Sequence, residues 1–169
     1  MSLDRKSALI LFAAIFISGC ASYAKGISSD GQKVYFGPVP IEKTEAFQIY
    51  MRSNRTEVDK QRYIFQRLRS ATDLQFLHDG VFYNSLEAYR GGMWLMRHYY
   101  QKGQDSREFI RKYAERSSAG NVHLVKYPDG TMQGGAYILY NELDLLEAAA
   151  ARQAPDFKAR PDDGKGALS

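Results

Sequence analysis

Leu74-Gln75-Phe76-Leu77-His78-Asp79-Gly80-Val81-Phe82-Tyr83 sets the fold class: two short apolar runs meet across an Asp-Gly pair. Asp-Gly in that position predicts a β-hairpin, because a type I′ turn needs positive φ at both central residues. A second hairpin is expected from Val122 to Tyr127, through Pro128-Asp129-Gly130, to Thr131-Met132, with Pro at the first corner followed by Asp-Gly. Outward from these turns the periodicity is helical. The spacing predicts helices from Ile41 to about Ser53 and from Thr56 to about Thr72, the latter on Ile64, Phe65, Leu68 and Ala71. Thr56 with Asp59 has the form of a capping box with the shorter acid. A third helix is expected from about Ser85 to Gln101, striped by Leu86, Tyr89, Met93, Met96 and Tyr100 and interrupted by Gly91-Gly92. Each Gly costs about 1 kcal/mol against Ala, which close packing on a neighbour would explain. A fourth helix opens at Asp105 or Ser106, and a fifth covers about Ala136 to Ala151 with Leu139, Leu143, Leu146 and Ala150 on one side. The expected class is α+β, mostly α: four to five helices with two short β-hairpins in a single small domain.

The chain has 169 residues, 44% hydrophobic and 25% charged, with 12 Tyr and 9 Phe, the profile of one domain with a buried core. A single Cys excludes an internal disulfide framework and any Cys-rich metal site. Residues 21–40 hold Gly26, Gly31, Gly37, Pro38 and Pro40 and read as a flexible tether, with Val34-Tyr35-Phe36 a candidate edge strand inside it. Residues 152–169, with Pro155, Pro161, Gly164 and Gly166, read as a disordered tail. The expected organisation is 1–19 export signal, 20–40 tether, 41–151 domain and 152–169 tail.

The first 20 residues place Arg5 and Lys6 before an apolar run from Ala8 to Ile17, the layout of an export signal. That run is half the length of about 20 residues that a membrane-spanning helix needs. Ile17-Ser18-Gly19-Cys20 resembles the lipobox of bacterial lipoproteins, which implies cleavage before Cys20 and lipidation of its thiol. Two or more acyl chains give stable membrane attachment. Ala21, where an inner-membrane lipoprotein commonly has Asp, implies by the same resemblance the outer membrane, facing the periplasm. Removing the signal leaves 21 basic against 18 acidic residues. The basic groups at Arg62, Arg67 and Arg69, and at Arg107, Arg111, Lys112 and Arg116, alternate with acids and read as solvated helix faces, with anionic lipid or glycan as the functional alternative. A nucleic-acid partner is not expected, since such binding needs the basic residues concentrated on one face.

Phe76-Leu77-His78-Asp79-Gly80-Val81-Phe82-Tyr83 with Glu87-Ala88, then Phe109-Ile110, Ala114, Ser117-Ser118 and Gly120 before a strand, resembles in order and spacing a family of bacterial envelope proteins typified by YfeK. The likeness covers about Thr56 to Leu146. The family carries Arg-Asn where this chain has His78-Asp79, and His-Leu where it has Gly91-Gly92. The resemblance implies a fold and an envelope compartment; it carries no assigned reaction.

Glu87, His78, His98 and His123 are the candidates for acid–base or metal chemistry. Glu87 and His98 stand about 16 Å apart along one helix and cannot share a metal. His78 can approach Glu87 through the fold, but His plus Glu without a third ligand makes a poor zinc site. The bland reading of Glu87 is a helix-start acid favoured by the macrodipole. Ser117-Ser118-Ala119-Gly120 lacks the G-x-S-x-G elbow of a nucleophile and reads as a helix C-terminus with Gly120 left-handed. Trp94, Tyr99 and Tyr100 read as core, or as a glycan-stacking surface. Gly134-Gly135 lacks the Lys and the spacing of a phosphate loop. The expected functional patch is Asp79, Gly80, Tyr83, Glu87, Ser117, Ser118 and Gly120, with no catalytic residue, metal or cofactor assigned. The expected function is a lipid-anchored, non-catalytic interaction or assembly module of the envelope, with membrane contact through Cys20 and an envelope protein or anionic glycan as partner. A cell-envelope hydrolase using Glu87 with His78 is the alternative.

Overall fold

A computed structural model describes residues 23–153; the expected signal, Cys20 and the tail from residue 154 on lie outside the described residues. Within them the chain order is α1 Glu45–Arg52, α2 Glu57–Ser70, β1 Gln75–His78, β2 Val81–Tyr83, α3 Ser85–Tyr99, α4 Ser106–Tyr113, β3 Leu124–Lys126, β4 Met132–Gly134 and α5 Gly135–Gln153. The protein is α+β and mostly α. Helix starts are set by side chains that accept otherwise unpartnered N–H groups. Thr44 accepts from the Phe47 N–H at 3.3 Å, Asn84 from Glu87 at 2.9 Å, and Asp105 from Arg107 and Glu108 at 2.9 and 3.0 Å. Before α2 the Asp59 carboxylate accepts the Thr56 N–H and hydroxyl at 3.1 and 2.8 Å.

Asp79 and Gly80 have φ of 47° and 82°, the positive pair that the Asp-Gly turn predicts. The two hairpins then join edge to edge, since β1 pairs antiparallel with β3 as well as with β2. The result is one four-stranded sheet of order β2-β1-β3-β4, with Phe76 opposite Val125. Tyr63, Ile64 and Leu68 of α2, Phe47 of α1, Ile110 of α4 and Ile138, Leu143 and Leu146 of α5 form the core with Val125.

Several expectations are corrected. The segment from Tyr23 to Pro40, expected as a tether, is bound to the domain. The Ala24 N–H donates to the Met132 carbonyl and the Gly134 N–H to the Ala24 carbonyl, each at 2.9 Å, so Ala24 adds one bridge beyond β4. Asn141 Nδ2 donates to the Gly26 and Val34 carbonyls at 2.8 and 3.0 Å, and Phe36 is buried in the core at 3% exposure. Val34 to Phe36 form no strand; the Val34 carbonyl and the Phe36 N–H are met by Asn141 and Glu142 of α5, the Val34 N–H by the Gly26 carbonyl and the Tyr35 carbonyl by the Tyr127 hydroxyl. At the other end Arg152 and Gln153, expected in the tail, extend α5, and Arg152 donates to Glu42 at 2.8 Å.

Of the expected α5 stripe Leu143 and Leu146 are buried, while Leu139 and Ala150 are half-buried and the buried face widens to Ile138, Glu142 and Ala149, because both α2 and the N-terminal segment cover it. Arg67, expected on a solvated face, is 5% exposed and makes a two-pronged ion pair with Glu142, Nε and Nη2 lying 3.0 and 3.1 Å from its two oxygens. The Phe36 N–H and the Tyr63 hydroxyl complete the shell of Glu142 at 2.8 and 3.0 Å. Burial and the adjacent carboxylate raise the pKa of the Tyr63 hydroxyl, so it stays a donor. α4 ends at Tyr113, so Ser117 to Gly120 is a separate turn rather than the expected helix C-terminus. Its Gly120 is left-handed at φ 86°, and the Ser117 N–H donates to the Asn121 carbonyl at 2.8 Å.

Candidate functional site: the cleft beneath α3

α3 packs along α2, with Tyr89 edge-on to Phe65 at 6.4 Å and under Arg69, and comes closest at Gly92. A Cβ on Gly92 would lie 2.3 Å from the Phe65 ring, so the two helices touch there with no room for a methyl group. That close approach explains Gly92, as expected from the sequence; Gly91 has open space around its Cβ position and needs another account. The gap left by α3 is a cleft of about 880 Å³ floored by Phe65 and Leu68 of α2, Phe76 of β1 and Phe109 and Ile110 of α4, with Ala88, Gly91 and Leu95 on the α3 side. Its size falls in the range of about 300–1,000 Å³ typical of ligand sites.

Aromatic side chains rim this space. Trp94 and Tyr99 are 51% and 44% exposed. Trp94 stacks on His98 with ring centres 4.3 Å apart, and Tyr99 stacks on Tyr113 of α4 at 5.1 Å. Tyr100 behaves differently from its two neighbours, turning in against Phe109 at 5.9 Å. The aromatic group therefore divides into a half-buried member and an exposed pair.

Polar groups at the edge of the cleft and in the depression beside it join phrases far apart in sequence. Asp79 Oδ1 accepts from Ser117 Oγ at 2.6 Å and from Asn121 Nδ2 at 2.8 Å, so the turn of the first hairpin is tied to the loop after α4. Those two hydrogen bonds hold the Asp79 carboxyl below the usual carboxylate range. His78 Nδ1 lies 2.9 Å from His123 Nε2, and His123 Nδ1 lies 3.1 Å from the Ala114 carbonyl. A carbonyl can only accept, so His123 carries its proton on Nδ1 and takes a hydrogen bond from His78 at Nε2. His78 Nε2 faces Asp79 Oδ2 at 3.5 Å. Burial pushes the His123 pKa below the ordinary histidine value.

The expected patch is thus only partly one place. Asp79 and Ser117 touch; His78, Tyr83, Glu87, Ser117 and Ser118 all line the cleft. Asp79 and Gly80 lie instead on a smaller depression shared with Tyr23 and Asn121, and the Gly120 carbonyl accepts from Arg116 at 2.8 Å. Glu87 Oε2 accepts the Asn84 N–H at 2.9 Å, the capping role that the helix-start reading anticipates. Ser117 Oγ, donating to Asp79 and receiving the Ala119 and Asn121 N–H groups at 3.2 and 3.3 Å, braces a turn.

Asn121 is a site residue that sequence reasoning passed over, and His123, a candidate there, was not placed beside His78. The register Leu77↔Leu124 brings His78 and His123 together, and only the pairing of β1 with β3 supplies it. Among the described residues no three His, Cys, Asp or Glu side chains gather as metal ligands, and no helix is long and apolar enough to cross a membrane. Comparison of the chain with protein-family models, with curated proteins and with solved structures finds no match, so its likeness to the YfeK-like family rests on the quoted phrases.

Proposed function

We propose that this chain is a lipid-anchored envelope protein that acts by binding, taking the apolar part of an envelope partner into the cleft beneath α3. The observation that carries the reading is a helix whose fully buried residue is Ser85 alone, standing over an apolar floor with Trp94 and Tyr99 left half in solvent. An apolar surface kept open in this way marks an interaction site. The polar groups beside it hold one another: Glu87 caps its helix and Ser117 braces a turn, which favours binding over the hydrolase alternative built on Glu87 and His78. The membrane anchor at Cys20 and the outer-membrane address belong to the same proposal and rest on Ile17 to Cys20 and on Ala21.

Photocrosslinker placed at position 94 in the native host is expected to form an adduct that Gly91→Leu, which fills the cleft, prevents. The same group at Val58, exposed on α2, is the control. Equal adducts at both positions, or an adduct indifferent to Gly91→Leu, defeat the reading. Fatty-acid labelling that persists in Cys20→Ser defeats the anchor.

A further inference from the structure

The chemistry of the cleft lining narrows the occupant. Resting on the reading of the cleft as a binding site, we propose that it takes the hydrocarbon chain of a free single-chain anionic amphiphile, a fatty acid being the simplest, with the anionic head met by Lys112 and Arg116. The floor is hydrocarbon and aromatic ring. Gln61, at its inner end, donates to the Ser106 carbonyl at 3.4 Å, and the other polar side chains, among them His78, Glu87, Ser117 and His123, stand to one side and are tied to their neighbours. A peptide laid as a strand over the floor of Phe65, Leu68, Phe76, Phe109 and Ile110 would set N–H and C=O groups against hydrocarbon, and buried unpartnered backbone groups are strongly disfavoured. A partner helix satisfies its own backbone but is about 10 Å across. Here α3 closes onto Phe65 at Gly92 with no space for a methyl group, which leaves a slit on that side. An acyl chain needs neither partners nor width.

Charge decides the head. Lys112 and Arg116 line the cleft, and among the described residues neither stands in an ion pair with a carboxylate. Lys112 lies over the Tyr113 ring at 5.2 Å, and Arg116 uses Nη1 on the Gly120 carbonyl, leaving the rest of its guanidinium fork. The carboxylate in the lining, Glu87, is turned to the Asn84 N–H. The lining therefore presents unneutralised positive charge above an apolar floor, complementary to a carboxylate on a hydrocarbon chain.

The molecule carries its own reporter, since Trp94 is its one Trp and sits on the cleft. The test uses the full chain with Cys20→Ser, which avoids detergent, titrated with palmitate, with hexadecanol and with phosphatidylglycerol vesicles. Palmitate is expected to change Trp94 fluorescence saturably, hexadecanol to bind about tenfold more weakly, and vesicles to leave the signal unchanged. Gly91→Leu is expected to abolish the palmitate response with an unchanged or higher melting temperature. Lys112→Ala with Arg116→Ala is expected to weaken palmitate to the level of hexadecanol without altering hexadecanol itself. No palmitate response, an equal response in Gly91→Leu, equal binding of the alcohol, or a response to vesicles alone overturns the inference. If palmitate fails while the crosslink at position 94 still depends on Gly91, the occupant is wrong and the binding function stands. If the crosslink too is indifferent to Gly91→Leu, both fall.

Discussion

The side of the molecule built on α5 and the side covered by α3 pack in opposite ways. On the first, Ile138, Leu143, Leu146 and Ala149 are fully buried, and Glu142 at 0% exposure receives hydrogen bonds from Phe36, Tyr63 and Arg67. On the second, a 15-residue helix buries Ser85 completely and leaves Leu86, Trp94 and Tyr99 exposed. Both helices are amphipathic in sequence. The difference is that α5 is covered from two directions, by α2 and by residues 24–36, whereas α3 meets its neighbour closely at Gly92. The α5 side thus forms the core, whereas the α3 side carries the proposed binding cleft.

Removing the carboxylate of Glu142 tests the first half of that contrast. Glu142→Ala leaves Arg67 charged in the core, which costs about 3–5 kcal/mol; urea unfolding monitored by far-UV circular dichroism reads it, and a loss near zero would break the comparison. The paired glycines sharpen the second half. Gly92→Leu drives a side chain into Phe65 and is expected to destabilise by about 1–3 kcal/mol. Gly91→Leu, with open space before it, replaces a poor helix former and is expected to stabilise by up to about 1 kcal/mol. Equal effects in a melting experiment would mean that α3 packs as closely at Gly91 as at Gly92.

At the hairpin tip Gly80 has φ 82° with nothing near its Cβ position, so Gly80→Val loses about 1–2 kcal/mol through backbone conformation alone. A larger loss would show that the tip is packed after all. The smallest expected effect is the pH dependence of the His123 contact. Its folded pKa lies below the unfolded value of about 6.5. The unfolded chain therefore binds the proton first, and stability present above that value falls as pH drops below it. His123→Gln should flatten this part of the stability-against-pH curve. An unchanged slope would remove His123 as its source.

Both Asp-Gly turns, the five helices and the positive φ of Gly80 are legible in the residues themselves, because turn chemistry, capping and periodicity act within a few positions of chain. Gly92 as a close-packing position was also readable, though the neighbour it meets was not. What tertiary structure decided is everything that depends on which surfaces meet. The pairing of β1 with β3 brings His78 to His123 and Asp79 to Ser117 across 45 and 38 positions. The breaker-rich segment before α1 became part of the domain since Asn141 and Glu142 satisfy its backbone from the far end of the chain, 107 and 106 positions away. Propensity describes what a segment does alone, and by that measure Gly26, Gly31 and Pro38 do read as a tether. Burial of Phe36 and hydrogen bonds to an opposing helix outweigh that measure, and both exist only once α5 is in place.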